Sequence, residues 1–386
     1  MKNKVIYIVT VLCSILYIVI GNQIATEHLT IFHGAVQENV EKAVVTNIVD
    51  RTSAEQQVSG AQYSNGVNIR FEAKVLSGDK KGQILTAIQN SDPTMSSQLK
   101  EVEVGDKVLL LKLESAGMEP GGEIEWTIGE YVRSDALLIL TIVFLALLLL
   151  FGRKKGIHTI LSLVFTCLSI FLVYIPAILS GLNIYVWSII TCIYIIVMTM
   201  LIINGASKKS LAAGLGCASG VLVSGVLTLI MDQIIELTGV LDEQSFYLLY
   251  LNEQNPINLK AIVFGSILIG AIGAIMDVSM DITSSLQEIS CKVEYPSLPM
   301  LLKSGFTIGK DIMGTMANTL VLAYIGSSLS LVLLLAAYSN SLLLLFNREL
   351  IVVEILQALV GSFGILFTIP FTSFICGVLY RHPASK

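Results

Sequence analysis

Long apolar runs separated by short polar joints fill most of this chain, and one stretch breaks the rhythm. From Gly156 to Ser207, 52 residues contain no Asp, Glu, Lys or Arg, and Pro176, Gly181 and Asn183 interrupt them. That is room for two helical crossings of about 20 residues joined by a tight turn. Similar runs predict eight helices, at 5–21, 136–152, 157–178, 184–204, 210–232, 261–280, 311–338 and 351–380. Gly-rich pieces inside these runs, such as Gly214-Leu-Gly216 and Gly270-Ala-Ile-Gly273, read as close helix packing. Gly216 and Gly220 stand four apart, as do Ser266 and Gly270, which lets backbones approach.

The exception is the polar block 25–134, whose pattern has the period of strands. Alternating or β-branched runs at 42–50, 67–76, 83–89, 107–113 and 123–132 are separated by turn signals at Ser77-Gly-Asp79, Asn90-Ser-Asp-Pro93, Gly105-Asp106 and Pro120-Gly-Gly122. Five strands with one longer connection, about 90–104, predict a small closed barrel of the oligonucleotide/oligosaccharide-binding (OB) type. The block is acidic and lacks a basic, aromatic-rich stripe, so nucleic acid is not an expected partner.

Composition fixes the class: 386 residues, 54% hydrophobic, 14% charged, mean hydropathy +0.76. The expected fold is a polytopic α-helical membrane protein of about eight transmembrane helices with a small extracytoplasmic β-barrel-like domain. Its parts are an N-terminal anchor (1–24), read as retained rather than cleaved, the β-rich domain (25–134) and a seven-helix membrane domain (135–386). Basic residues set the orientation. Lys2, Lys4, Arg153, Lys154, Lys155, Lys208, Lys209, Lys292, Lys303, Lys310, Arg381 and Lys386 fall on one side, and only Lys260 and Arg348 in the opposite short loops. Both termini are therefore expected in the cytoplasm of a cell-membrane protein, with 25–134 outside.

Candidate chemistry lies in carboxylates near the apolar runs, where an acid is costly unless paired, solvated or bound to a cation. Asp277 and Asp281 close the sixth run toward the cytoplasmic face, and on a continuing helix they share a stripe with Ser284 and Glu288. The seventh run places Asp311, Thr315 and Asn318 on one face, and Tyr324 extends the polar character inward. Asp277, Asp281, Asp311, Thr315, Asn318 and Tyr324 together are the expected ion or solute pathway. Asp232, Glu236, Glu354 and Gln357 are weaker candidates for an outer vestibule. Four dispersed histidines and six cysteines without a CxxC give no metal or disulfide framework. No P-loop, Gly-x-Ser-x-Gly elbow or HExxH occurs, so neither an enzyme nor a cofactor is expected.

At these residues the chain resembles a known family. The stretch Gly270-Ala-Ile-Gly-Ala-Ile-Met-Asp-Val-Ser-Met-Asp-Ile-Thr-Ser-Ser-Leu-Gln-Glu-Ile289 and the stretch Gly309-Lys-Asp-Ile-Met-Gly-Thr-Met-Ala-Asn-Thr-Leu-Val-Leu-Ala-Tyr-Ile-Gly-Ser-Ser328 are similar to the bacterial YibE/F family of multi-pass membrane proteins. Ser77-Gly-Asp-Lys-Lys-Gly-Gln83, the Val104-Gly-Asp106 turn and Glu130-Tyr-Val-Arg-Ser-Asp135 also follow that family's pattern. The resemblance implies a membrane protein and assigns no site residues. The expected function is a permease-like transporter of a cation, proton-coupled solute or small polar molecule. Its expected partners are the lipid bilayer, that solute, and a second copy or another membrane subunit. The alternative is an envelope scaffold whose external domain binds a partner. The link Ser290 to Ile308, with Pro296 and Pro299, reads as a turn back into the next helix.

Overall fold

The computed structural model describes residues 2–27, 40–58, 62–78, 80–91, 100–112, 126–251, 256–338 and 341–381. The expected turns at Asp92-Pro93 and 120–122, and His28, His33 and His382, lie outside them. The chain divides into two compact units, His33–Leu147 and Met1–Phe32 with Leu148–Lys386.

The smaller unit is a closed five-stranded barrel. Strands β1 (Val40–Val58), β2 (Gln62–Val75), β3 (Ile84–Ser91), β4 (Lys107–Lys112) and β5 (Trp126–Tyr131) close in the order β1-β2-β3-β5-β4, with only the β3–β5 pairing parallel. Closure leaves no open sheet edge. Alternation puts Ala43, Val45, Ile69, Phe71, Ala73, Ala87, Val108, Leu110 and Trp126 inside. The long connection is clamped to the core by buried Gln89, whose Nε2 donates to Lys100 O (2.9 Å) and whose Oε1 accepts from Val102 N (2.8 Å).

Beside that clamp Lys100 Nζ pairs with Asp106 Oδ1 at 2.7 Å, and Glu103 N donates to Oδ2 at 3.0 Å. Partial burial opposes ionisation of Asp106, but the Lys100 ammonium and the Glu103 amide outweigh it and hold the carboxyl below its ordinary value. A depressed folded pKa stabilises the barrel above the unfolded aspartate value and loses that contribution as pH falls through the folded one. Trp126 is one of two tryptophans, so with Trp187→Phe its fluorescence reports on the barrel alone. The barrel's melting temperature should fall on acidification below about pH 4, and Asp106→Asn should flatten that slope.

The larger unit is helical: α1 (Lys2–Thr26), α2 (Ser134–Ser169, whose first residues belong to the smaller unit), a π turn (Ile170–Tyr174), α3 (Ile175–Leu179), α4 (Ile184–Asn204), α5 (Lys208–Ile235), α6 (Glu243–Tyr250), α7 (Leu259–Lys292), α8 (Leu298–Ser327), α9 (Leu329–Tyr338), α10 (Leu342–Phe346) and α11 (Glu349–Tyr380). Six described helices are long and apolar enough to cross a membrane, or seven if the bent pair α8–α9 is one span. Eight were expected from the sequence. The difference lies in Ser134–Leu179, 46 residues counted once. At 1.5 Å per residue that is about 69 Å, over twice the ~30 Å hydrocarbon layer. Arg153 (φ 47°, ψ −122°) breaks the helical geometry inside it, and beyond the break Gly156 packs on the Leu148 carbonyl, where no Cβ fits.

Two further expectations are corrected. Residues 298–310 are helix, not link. Ser297 caps the Met300 amide (3.4 Å), and Pro299 sits in the first turn, where its missing N–H costs nothing. The seventh run also bends by 62° between Ser327 and Leu329 rather than continuing straight to 338.

The core forms where α11 packs against α5, α7 and α8. Small residues permit the approach. Gly216 lies against Thr372 and Ser279, Gly220 against Thr368, Gly364 and Ile275, and Gly309 against Ile369. Hydroxyls are satisfied inside this contact: Ser279 Oγ donates to Ala213 O (2.7 Å) and meets Thr372 Oγ1 (3.2 Å), and Thr368 Oγ1 donates to Gly364 O (2.7 Å). The helix α1 packs on the same unit, with Gly21 against Val173 and Asn22 Nδ2 donating to Leu172 O (2.6 Å).

Candidate functional site

Helix α7 differs from its neighbours in what it leaves uncovered. Its Ala261–Ser290 portion has six exposed positions, Ser266, Gly270, Gly273, Asp277, Asp281 and Glu288, and every one is polar or glycine. Their spacing of three, four or seven residues makes one stripe along the helix. On α11 the exposed positions from Ile355 to Val378 are all Ile, Leu, Phe or Val, and α4 exposes Val186, Ile189, Ile190, Ile193 and Val197. Those faces suit lipid or another apolar surface; the α7 stripe suits water or a polar ligand.

The inner half of the stripe carries the two aspartates. Asp277 lies about 27 Å and Asp281 about 33 Å from the start of α7. Asp277 acts electrostatically on Cys217 of α5, and Asp281 on Lys209 at the start of α5. Neither has a hydrogen bond or ion pair among the described residues. On one flank Asn204 Nδ2 of α4 donates to Met280 Sδ at 3.5 Å. On the other, Tyr324 of α8 stands with its hydroxyl over Gly270.

Asp311, Thr315 and Asn318 share one exposed face of α8, as their spacing predicts, opposite buried Gly305, Gly309 and Leu320. Thr315 Oγ1 donates within its own helix to Ile312 O (2.8 Å). Among the described residues no hydrogen bond or ion pair joins this face to Asp277 or Asp281.

The structure brings two of the four outer candidates, Glu354 and Gln357, together with Tyr324. Gln357 Nε2 of α11 donates to Ser266 Oγ of α7 at 3.0 Å. One turn away on α11 is Glu354, whose Oε2 is buried without a hydrogen-bond partner. The Tyr324 hydroxyl is likewise buried and unpartnered, and lies within electrostatic reach of Glu354. The tyrosine is thus joined to the outer group rather than to the aspartates. Asp232 stands apart, 3.9 Å from Lys260 Nζ, and Glu236 ends α5 in the left-handed region (φ 56°). Among the described residues no three His, Cys, Asp or Glu side chains are grouped to hold a metal.

Glu349, absent from the sequence candidates, organises this end of the bundle. Its carboxylate accepts from Thr238 N (2.7 Å), Thr238 Oγ1 (2.7 Å) and Gly239 N (2.5 Å), tying the segment after α5 to α11. Hydrogen bonds to a charged group contribute about 1.5–3 kcal/mol each when well shielded, and less in an exposed loop such as this. Glu349→Ala should therefore speed amide hydrogen exchange at Thr238 and Gly239 severalfold while leaving exchange in the α5–α7–α11 core unchanged.

Residues 140–382 match the family model described as YibE/F-like protein. No curated protein and no solved structure matches the chain.

Proposed function

The chain belongs to the YibE/F-like family, and from that premise we propose that it is a multi-pass membrane protein of permease type, moving a cation, a proton-coupled solute or a small polar molecule along the α7 stripe. The observation that carries this reading is the stripe itself: every exposed position from Ala261 to Ser290, on an apolar helix whose other positions there are buried or half-buried, is polar or glycine, and two of them are aspartates. Two carboxylates on the uncovered face of a bilayer-crossing helix require water, a cation or a covering chain. A polar path supplies the first two. Asp277 and Asp281 are the carriers toward the cytoplasmic end, with Asp311, Thr315 and Asn318 lining the adjoining inner mouth.

In this reading the termini are cytoplasmic and the barrel lies outside, following the bias of basic residues. Where the stripe would otherwise meet lipid, a second copy or another membrane subunit covers it. The test is flux in proteoliposomes under an imposed gradient, followed with a pH-sensitive dye and a panel of monovalent and divalent cations. Gradient-dependent flux above that of empty vesicles supports the proposal. Silence from folded, oriented protein overturns it and favours a scaffold acting through the barrel.

A further inference from the structure

On half-buried Glu354 one carboxylate oxygen, Oε2, is enclosed without a hydrogen-bond partner. Glu354 lies about 8 Å into α11, one turn before Gln357, while Ser266 and Gly270 lie about 10 and 16 Å into α7. Because Gln357 bonds Ser266 and the Tyr324 hydroxyl covers Gly270, three helices deliver oxygen-bearing side chains to one level of the bundle. The nearby cation Lys260 is directed at Asp232, 3.9 Å away, and no ion pair among the described residues reaches Glu354.

Enclosing a carboxylate oxygen and a phenol oxygen without hydrogen-bond partners is costly, and one bound cation would satisfy Glu354 Oε2 and the Tyr324 hydroxyl together. We propose that Glu354, Tyr324, Gln357 and Ser266 bind one monovalent alkali cation at the outer third of the helical bundle. The donor chemistry selects that class. One carboxylate carries a single formal charge, and a phenol, a hydroxyl and an amide oxygen are neutral hard donors of the kind alkali and alkaline-earth ions take. A divalent ion would leave a net positive charge in an apolar contact, and soft metals would want imidazole or thiolate. Gly270 has a specific part, because any side chain there would occupy the space of the Tyr324 hydroxyl.

The inference rests on the transport reading for its purpose, since it makes this the entry site of the α7 pathway, about 17 Å along the helix from Asp277. Its test does not. Equilibrium binding of radioactive sodium and rubidium to the purified full-length protein, held at pH 8 to limit proton competition, should be saturable. Glu354→Gln should weaken it at least tenfold and Tyr324→Phe severalfold, each with an unchanged melting temperature without the ion, and Gly314→Ala, where the new Cβ meets open space, should leave it intact. Absence of saturable alkali binding in wild type, or binding that survives Glu354→Gln, overturns the site. Flux without alkali binding removes this site while the transport reading stands. Binding that depends on Glu354 in a protein without flux keeps the site and removes the transport reading.

Discussion

Asp277→Asn should reduce flux through the reconstituted protein at least tenfold while leaving the amount of folded protein unchanged. The substitution keeps the shape of the side chain and removes its charge, and the carboxylate has no hydrogen bond or ion pair among the described residues that folding would lose. Its position, halfway along the polar stripe, is where a migrating cation needs compensation for its lost hydration. Tenfold corresponds to about 1.4 kcal/mol, less than the several kcal/mol an uncompensated charge costs in hydrocarbon, so the expected loss is a lower bound. Asp281→Asn should be milder, because Asp281 lies about 6 Å further toward the helix end, within reach of Lys209. Depletion of the Asp277→Asn protein from the membrane would assign the aspartate to folding instead.

The second large effect belongs to the helix contact that supports the stripe. At Gly220 an added Cβ would sit on Thr368 Oγ1, 2.9 Å from the Gly364 carbonyl oxygen and 2.9 Å from Ile275 Cγ2. Two of these three neighbours belong to α11, and the carbonyl is backbone, so the helices must separate rather than a side chain turn aside. Overpacking of this kind costs about 1–3 kcal/mol, and more when a backbone must move. Gly220→Val should lower the melting temperature in mild detergent by several degrees and reduce recovery. Gly314→Ala, where the new Cβ meets open space, should leave stability unchanged or slightly raised by better helix propensity. Equal effects from both substitutions would show that α5 and α11 do not pack this closely.

Much of this architecture is legible in residue order. Ile184–Asn204 coincides with its predicted helix, because Asn183 caps Val186 N at one end and Gly205, at φ +68°, stops the helix at the other. The five strands are legible because one face is apolar, although β1 and β2 extend further than alternation shows. The stripe is half legible. Spacing predicts that Asp277, Asp281, Ser284 and Glu288 share a face, but cannot show that Gly270 and Gly273 continue it, since glycine reads equally as packing. Contacts between distant helices leave less trace. Nothing in sequence spacing brings Tyr324 to Gly270 or pairs Gln357 with Ser266, 91 positions away. The hydroxyls of Thr368 and Thr372 had a signal, a four-residue repeat opposite the Gly216 and Gly220 repeat, that only a known α5–α11 pairing makes readable.

The central claim, that the α7 stripe is a wetted path through an apolar bundle, is tested most directly by cysteine accessibility. In a background where the six native cysteines are replaced, single cysteines along 266–288 are treated with a membrane-impermeant maleimide, which reacts only where water supports a thiolate. Reaction at 266, 273, 277, 281 and 288, with protection at Ile275, Ser279 and Ile282, is the result expected of a water-lined stripe. Protection at 266, 273 and 277 together, with reaction confined to the helix end beyond Asp281, would contradict it.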